Sequence, residues 1–415
     1  MNATIAIYLI SIVATAGVII RPFKVPEFVW ALAGAALLLI LGLISFSTAW
    51  TGILKGTDVY LFLTGMMLLS ESARQEGLFD WLACHATRFA GGSPVKLFLL
   101  IYLVGVVVTT FMSNDATAVV LTPAVAAAVQ SAKVKQPLPY LFICAFIANA
   151  ASFVLPISNP ANLVIYGAHM PSLLLWLKSY LLPSVFSIVI TLVMLYLTQR
   201  KDLREPIEKD VETPTLSHGG KIALAGILLT IVTLIFASAK DWQLGLPTAI
   251  AGIFTAIIVV ITAKRNPLKV IGNISWAVLP LVAGLFILVE ALGKVGLVET
   301  ISNFIKAHAE SNADATAFLG GTAIAFACNL VNNLPAGLIA GSAVTATHIP
   351  DIVKSGILIG VDLGPNLSVT GSLATILWLT ELRRNGQSVG AWQFLKLGAL
   401  VMIPALCAAL LALWI

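Results

Sequence analysis

A helix that crosses a bilayer satisfies its own backbone polar groups, so an interruption in mid-membrane is tolerated only where it is buried in protein or lines a wet cavity. This chain carries such interruptions in two matched pairs. In the first half they are SNDATAVVLTP (Ser113 to Pro123) and LPISNPANLVIY (Leu155 to Tyr166); in the second they are NLVNNLPAG (Asn329 to Gly337) and VDLGPNLSVTGSLATILW (Val361 to Trp378). Paired breaks in corresponding positions of two apolar halves are how secondary carriers build a binding site near the membrane midplane.

Composition agrees with a bilayer environment: 59% of the residues are hydrophobic and 10% charged, against about 25% charged in a soluble domain. The net charge of +5 is dispersed over short loops, which excludes a nucleic-acid-binding surface and makes Lys and Arg reporters of topology. Four cysteines (Cys84, Cys144, Cys328, Cys407) stand without metal-type spacing, so neither a disulfide framework nor a metal site is expected.

A hydrocarbon core of about 30 Å takes roughly 20 helical residues. That length predicts ten crossings, near 4–20, 27–46, 57–74, 138–166, 172–199, 222–239, 247–263, 274–292, 354–380 and 391–415. Two longer stretches, 97–131 and 315–347, are split near their middles by Ser113-Asn114-Asp115 and by Asn332-Asn333, and read as re-entrant hairpins. Lys96 precedes the first stretch and Lys133 and Lys135 follow it, so both its ends belong on the cytoplasmic side, as a hairpin requires. The expected fold class is therefore an all-α polytopic membrane protein of two inverted-topology repeats. Residues 1–199 form the first, with a broken helix at 138–166, and residues 222–415 the second, with a broken helix at 354–380. The polar segment 200–221 is expected to be a cytoplasmic linker in the form of a plain solvated loop. Across the repeats Glu71 aligns with Glu290, Asn114 with Asn332, and Asn149 with Asp362.

The breaks supply the candidate ligands. Ser113, Asn114, Asn159, Asn162, Asn332, Asn333, Asn366, Ser372 and Thr375 offer hydroxyls and amides beside freed backbone groups. Asp115 is read either as a proton carrier or as an N-cap on the helix behind the tip. Asp362, next to Gly364 and Pro365, reads equally as a functional acid or as a tie to freed backbone amides. Glu71 and Glu290 are expected to be interfacial and structural. Cys328 lies four residues before Asn332; an isolated buried thiol is usually a small hydrophobe, which makes it the weakest candidate as a soft-metal ligand. Spans such as 27–46, with close-packed Gly and Ala, offer a face for a homodimer.

Two of these segments resemble a known family. NDATAVVLTPAV (Asn114 to Val125) and IGVDLGPNLSVTGSLATILWL (Ile359 to Leu379) are similar to the arsenite efflux permeases of the ion transporter superfamily, and the similarity runs over nearly the whole chain. The resemblance implies export of arsenite and antimonite across the inner membrane in exchange for protons, with no cofactor and with a cytosolic arsenite-stimulated ATPase as a partner. It points to Asn114, Asp115, Ser158, Asn159, Asn162, Asn332, Asn333, Asp362, Asn366, Gly371, Ser372 and Thr375. The chain departs from the family pattern at Ala116, where Gly is common, at Leu334, where Met is common, and at Asn366, where a Lys occurs. Uncharged As(OH)3 carries three hydroxyls that donate and accept, matching a cage of Asn, Ser, Thr and backbone groups. Asp115 and Asp362 are then the candidates for proton coupling. A sodium/proton antiporter and a dicarboxylate carrier of the same superfamily are the alternatives. No phosphate-binding GxxxxGK[ST] occurs, so an ATPase or other enzyme activity is not expected.

Overall fold

A computed structural model describes residues 2–167, 170–209, 213–346 and 349–415. Among them every regular element is helical. Eight helices are long and apolar enough to cross a membrane, or nine if the bent pair Phe46–Lys55 and Thr57–Gln75 is one span. Three of the expected crossings are built from shorter pieces. Residues 27–46 form Glu27–Ile40, after which Gly42 takes φ 65° and Ser45 caps a new helix, Phe46–Lys55. Residues 138–166 divide into Leu138–Ala150 and Pro160–Tyr166, and residues 354–380 into Asp351–Leu363 and Leu373–Arg384. The last two are the broken helices that the sequence predicts.

Both hairpins form. The first runs up Pro94–Met112 and returns through Asn114–Ala116, a π-helical turn at Thr117–Leu121 and Thr122–Ser131. The second runs up Ala313–Val331 and returns as Asn333–Ala346; residue 347, its expected end, lies outside the described residues. An amphipathic helix precedes each hairpin, Leu78–Ala90 before the first and Leu297–Ser311 before the second.

Two groups of helices pack mainly within themselves. One is a scaffold of Ala3–Ile20, Glu27–Ile40, Phe46–Lys55, Thr57–Gln75, His218–Ala239, Gly245–Thr262 and Val278–Lys294. The other gathers the hairpins and broken spans with Leu173–Gln199 and Ala391–Leu411. Small residues let scaffold backbones touch: a Cβ on Gly65 would collide with the carbonyl of Thr248, and one on Gly252 would collide with the backbone of Gly65. Asp58 fixes the register of that pair, its Oδ1 accepting from the Gly245 N–H at 2.7 Å.

The segment 200–221 departs from the solvated loop that its polarity suggests. Leu203 and Ile207 are buried, and the backbone from Ile207 to Glu208 bonds to the ends of the first hairpin. Polar composition conceals this because two apolar residues among many charges leave no periodic signal.

Gly65→Leu should lower the melting temperature of the solubilised protein, since overpacking a backbone contact costs about 1–3 kcal/mol or more; Gly65→Ala should cost less. Thermal unfolding followed by intrinsic fluorescence checks the order.

Candidate substrate site

Each hairpin turns on one residue in a backbone region that favours glycine. Ser113 has φ 117° and Asn332 has φ 71°, a conformation costing roughly 1–3 kcal/mol in a side-chain-bearing residue and kept only where surroundings impose it. The returning helices start immediately afterwards, at Asn114 and Asn333. Structural equivalence therefore pairs Ser113 with Asn332 and Asn114 with Asn333, one residue out from the sequence alignment of Asn114 with Asn332.

Each tip is pinned to the break of its own half. Ser158 Oγ donates to the Thr110 carbonyl at 2.8 Å, just below the first tip. At the second, the Asn333 N–H donates to the Gly371 carbonyl at 2.8 Å and Asn332 Nδ2 to the Thr370 carbonyl at 3.2 Å. Gly371 is needed for this approach, because a Cβ there would sit 2.6 Å from Pro365 Cα and 2.7 Å from Asn329 Oδ1. Asn329 binds the same loop: its Nδ2 donates to the Gly364 carbonyl at 3.0 Å, and its Oδ1 accepts from Ser368 Oγ at 2.6 Å.

The two breaks are themselves joined. Asn159 caps Pro160–Tyr166, with Oδ1 accepting from the Ala161 N–H at 3.0 Å, and Ser372 caps Leu373–Arg384, with Oγ accepting from the Thr375 N–H at 3.1 Å. From the opposing half, Asp362 Oδ1 accepts from Asn159 Nδ2 at 2.8 Å, and Asn149 Nδ2 donates to Asn366 Oδ1 at 3.0 Å and to Thr375 Oγ1 at 3.4 Å. Asn366 Nδ2 donates in turn to the Phe146 carbonyl at 2.9 Å, and Asn162 Nδ2 to the Ser152 carbonyl at 2.9 Å. All these side chains are buried. Asn149 and Asp362, aligned in sequence, thus play reciprocal parts: each reaches across to the start of the other half's second helix piece.

Several acceptors in this cluster lack a donor. Asn149 Oδ1, Asn162 Oδ1 and Asp362 Oδ2 are buried without a hydrogen bond. The Ser152 hydroxyl lies near Asp362 but donates to the Asn149 carbonyl at 2.7 Å. An unpaired buried acceptor costs about 1–3 kcal/mol, so a concentration of them at two helix breaks marks a site.

Asp115 is placed elsewhere. It does not act as an N-cap: Ser113 Oγ accepts from the Ala116 N–H at 3.5 Å, and Asn114 Oδ1 from the Asp115 N–H itself at 2.9 Å. Its side chain instead lines an open-mouthed cavity between the first tip and the scaffold, together with Ser113, Met66, Ser70, Glu71, Asn273 and Ser275. No Lys or Arg among the described residues lines that cavity. Glu71 is held there by Arg74, whose Nε and Nη2 donate to its two oxygens at 2.7 Å, and by Gln75 Nε2 at 2.6 Å. Glu290 pairs with Lys55 at 2.5 Å in a second, larger space beside Tyr166 and Thr345. Both glutamates, expected to be interfacial and structural, are ion-paired, and each borders a cavity.

Cys328 is fully buried, and its Sγ donates to the Val361 carbonyl at 3.9 Å, inside the packing of the second broken span. Residues absent from the sequence-based set are Asn149, Asn329, Ser70, Asn273 and Ser275. Asn149 was visible through its alignment with Asp362, and Asn329 through its place in the NLVNNLPAG break. Ser70 sits on Thr57–Gln75, and Asn273 and Ser275 at and just after the end of the short helix Pro267–Asn273; only the tertiary approach of these segments to the first tip gives them a part.

The layout defines a multi-pass membrane transporter whose polar site is assembled from helix breaks. The chain belongs to the citrate transporter family, CitMHS, matching it over residues 10–360. It is also similar to the arsenical pump membrane protein of Escherichia coli K12, 28% identical over 409 residues and 92% of each chain, and to that of Yersinia enterocolitica, 28% identical over 402 residues and 91% of each. Among solved structures, the YdaH transporter of Alcanivorax borkumensis shares the fold, with a TM-score of 0.58 and 14% identity over 100% of this chain and 98% of that one.

Asn159→Ala should destabilise the protein by about 1–3 kcal/mol, since it removes a cap and leaves the Asp362 carboxyl without its donor. Asp362→Asn should cost less, because it keeps an acceptor oxygen at that position. Thermal unfolding of both variants in one detergent gives the comparison.

Proposed function

We propose that this transporter exports arsenite and antimonite in exchange for protons, as an inner-membrane carrier built from two inverted-topology repeats whose hairpin body moves against the scaffold in elevator fashion. The observation that carries this reading is the cavity at the first tip. Its polar lining consists of hydroxyls, an amide and the carboxyls of Asp115 and Glu71, with no Lys or Arg. Such a wall repels a citrate or dicarboxylate anion and suits the uncharged triol As(OH)3, whose hydroxyls find both donors and acceptors in it.

The cavity is bordered by Glu71, whose partner Arg74 lies on the side that the distribution of basic loop residues assigns to the cytoplasm. Substrate enters there against Ser113 and Asn114. It then moves toward the amides and hydroxyls of Asn159, Asn162, Asn332, Asn333, Asn366, Ser372 and Thr375, where Asn149 Oδ1 and Asn162 Oδ1 await a donor. A neutral substrate brings no electrical driving force, so its accumulation depends on a coupled ion. Asp115 in the cavity and Asp362 at the centre of the breaks are the two intramembrane acids placed to carry a proton, and an ionisable group at that depth is functional by default. Any use of ATP would come from a cytosolic ATPase partner, since the chain has no phosphate-binding loop of its own.

Everted vesicles containing the protein should accumulate arsenite when a proton gradient is imposed without ATP, and Asp115→Asn should reduce that accumulation about 100-fold or more, in the range of a lost proton-transfer group. Full gradient-driven accumulation in the variant would remove Asp115 from the proton pathway. Uptake of citrate in place of arsenite would move the substrate assignment to a carboxylate.

A further inference from the structure

The first hairpin has a weak point that the second lacks. Its returning arm passes through the π-helical turn Thr117–Leu121, where Thr122 Oγ1 donates to the Thr117 carbonyl at 3.3 Å, and then through Pro123, which has no N–H to give. The returning arm of the second hairpin, Asn333–Ala346, is continuous α-helix. A helix interrupted in this way holds its own course less firmly, so the tip at Ser113 to Asp115 depends on the continuous entering arm Pro94–Met112 and on the two feet of the hairpin being held at a fixed separation.

The restraint comes from the segment between the halves. The Ile207 N–H donates to the Gly92 carbonyl at 3.2 Å, at the foot of the entering arm. The next residue's N–H, that of Glu208, donates to the Ala132 carbonyl at 3.0 Å, at the foot of the returning arm. Consecutive amides thus tie both ends of the hairpin together. Leu203 and Ile207 are 3% and 7% exposed beneath them. Lys133 pairs with Glu208 at 3.1 Å and Lys135 with Glu205 at 2.7 Å. The fit at the entering foot is close: Gly92 has φ 87°, and a Cβ there would lie 2.7 Å from Lys209 Cγ.

We propose that Leu203 to Lys209 is a staple across the open end of the first hairpin, and that Ile207 and Glu208 are positioning residues for the tip carrying Ser113 and Asp115. The staple moves with the hairpin, so the polypeptide that joins the two halves also sets the geometry of the first one. Main-chain bonds and the two buried apolar side chains supply the hold. The ion pairs are well exposed and add little, so removing a charge is expected to matter far less than removing an amide.

The test is hydrogen exchange read by mass spectrometry on the full chain in lipid nanodiscs. Glu208→Pro deletes one of the two amides, and Ile207→Asp charges the buried plug; either should raise exchange about tenfold or more in peptides spanning 110–132, with Gly245–Thr262 unchanged. Glu208→Ala keeps its N–H and should stay within about twofold of the parent. Ile207→Ala, a milder change that preserves folding, should shift the same peptides in the same direction, and Ile207→Val should restore them. Unchanged exchange at 110–132 in Ile207→Ala and Glu208→Pro would overturn the proposal. An effect of Glu208→Ala as large as that of Glu208→Pro would overturn the main-chain assignment. A rise spread evenly over all helices would mean general destabilisation and would equally overturn it.

Discussion

The hydrogen bonds between the two broken spans are the constraint on which the rest of the structure depends. Each break frees backbone groups in a medium that offers no water, and each is made tolerable by side chains of the opposite half: Asp362 holds Asn159 at 2.8 Å, and Asn149 holds Asn366 at 3.0 Å. Neither half could end its helices at that depth alone. The exchange brings the breaks together, buries Asn159, Asn162, Asn366, Ser372 and Thr375 in one cluster, and leaves acceptors without donors at its centre.

The hairpins complete the arrangement in unequal ways. The second tip is closed onto the Thr370 and Gly371 carbonyls, whereas the first presents Ser113 and Asp115 to an open cavity against the scaffold. The difference is one of contact: the second tip is bonded to its break and the first faces open space. It also separates the two acids: Asp115 meets the cavity and Asp362 meets the polar cluster.

Scaffold and hairpin body are each packed closely through small residues: in the second broken span a Cβ on Gly356 or Gly360 would collide with the carbonyl of Ala317 or Gly321. Within the scaffold, Gly65 and Gly252 bring backbones into contact and Asp58 fixes their register, which makes a rigid frame. The face turned to the first tip is lined by Phe62, Leu63, Met66 and Met67, side chains without fixed polar partners, of which the methionines repack readily.

The membrane class, the places of the four breaks and the residue types that fill them are legible in the chain alone, because a polar or proline-rich interruption in an apolar helix has few physical explanations. Length alone located most of the spans, for the same reason that a bilayer has one thickness. The correspondence between the two broken spans is legible there too, since Asn149 and Asp362 align. Contacts between elements distant in the chain emerge only on folding: Asp115 faces a cavity and leaves capping to Ser113 and Asn114, Ser70, Asn273 and Ser275 line the same cavity, and Ile207 and Glu208 reach the feet of the first hairpin. Periodicity and composition are local properties, whereas these contacts are set by how whole helices pack, which no window of sequence contains.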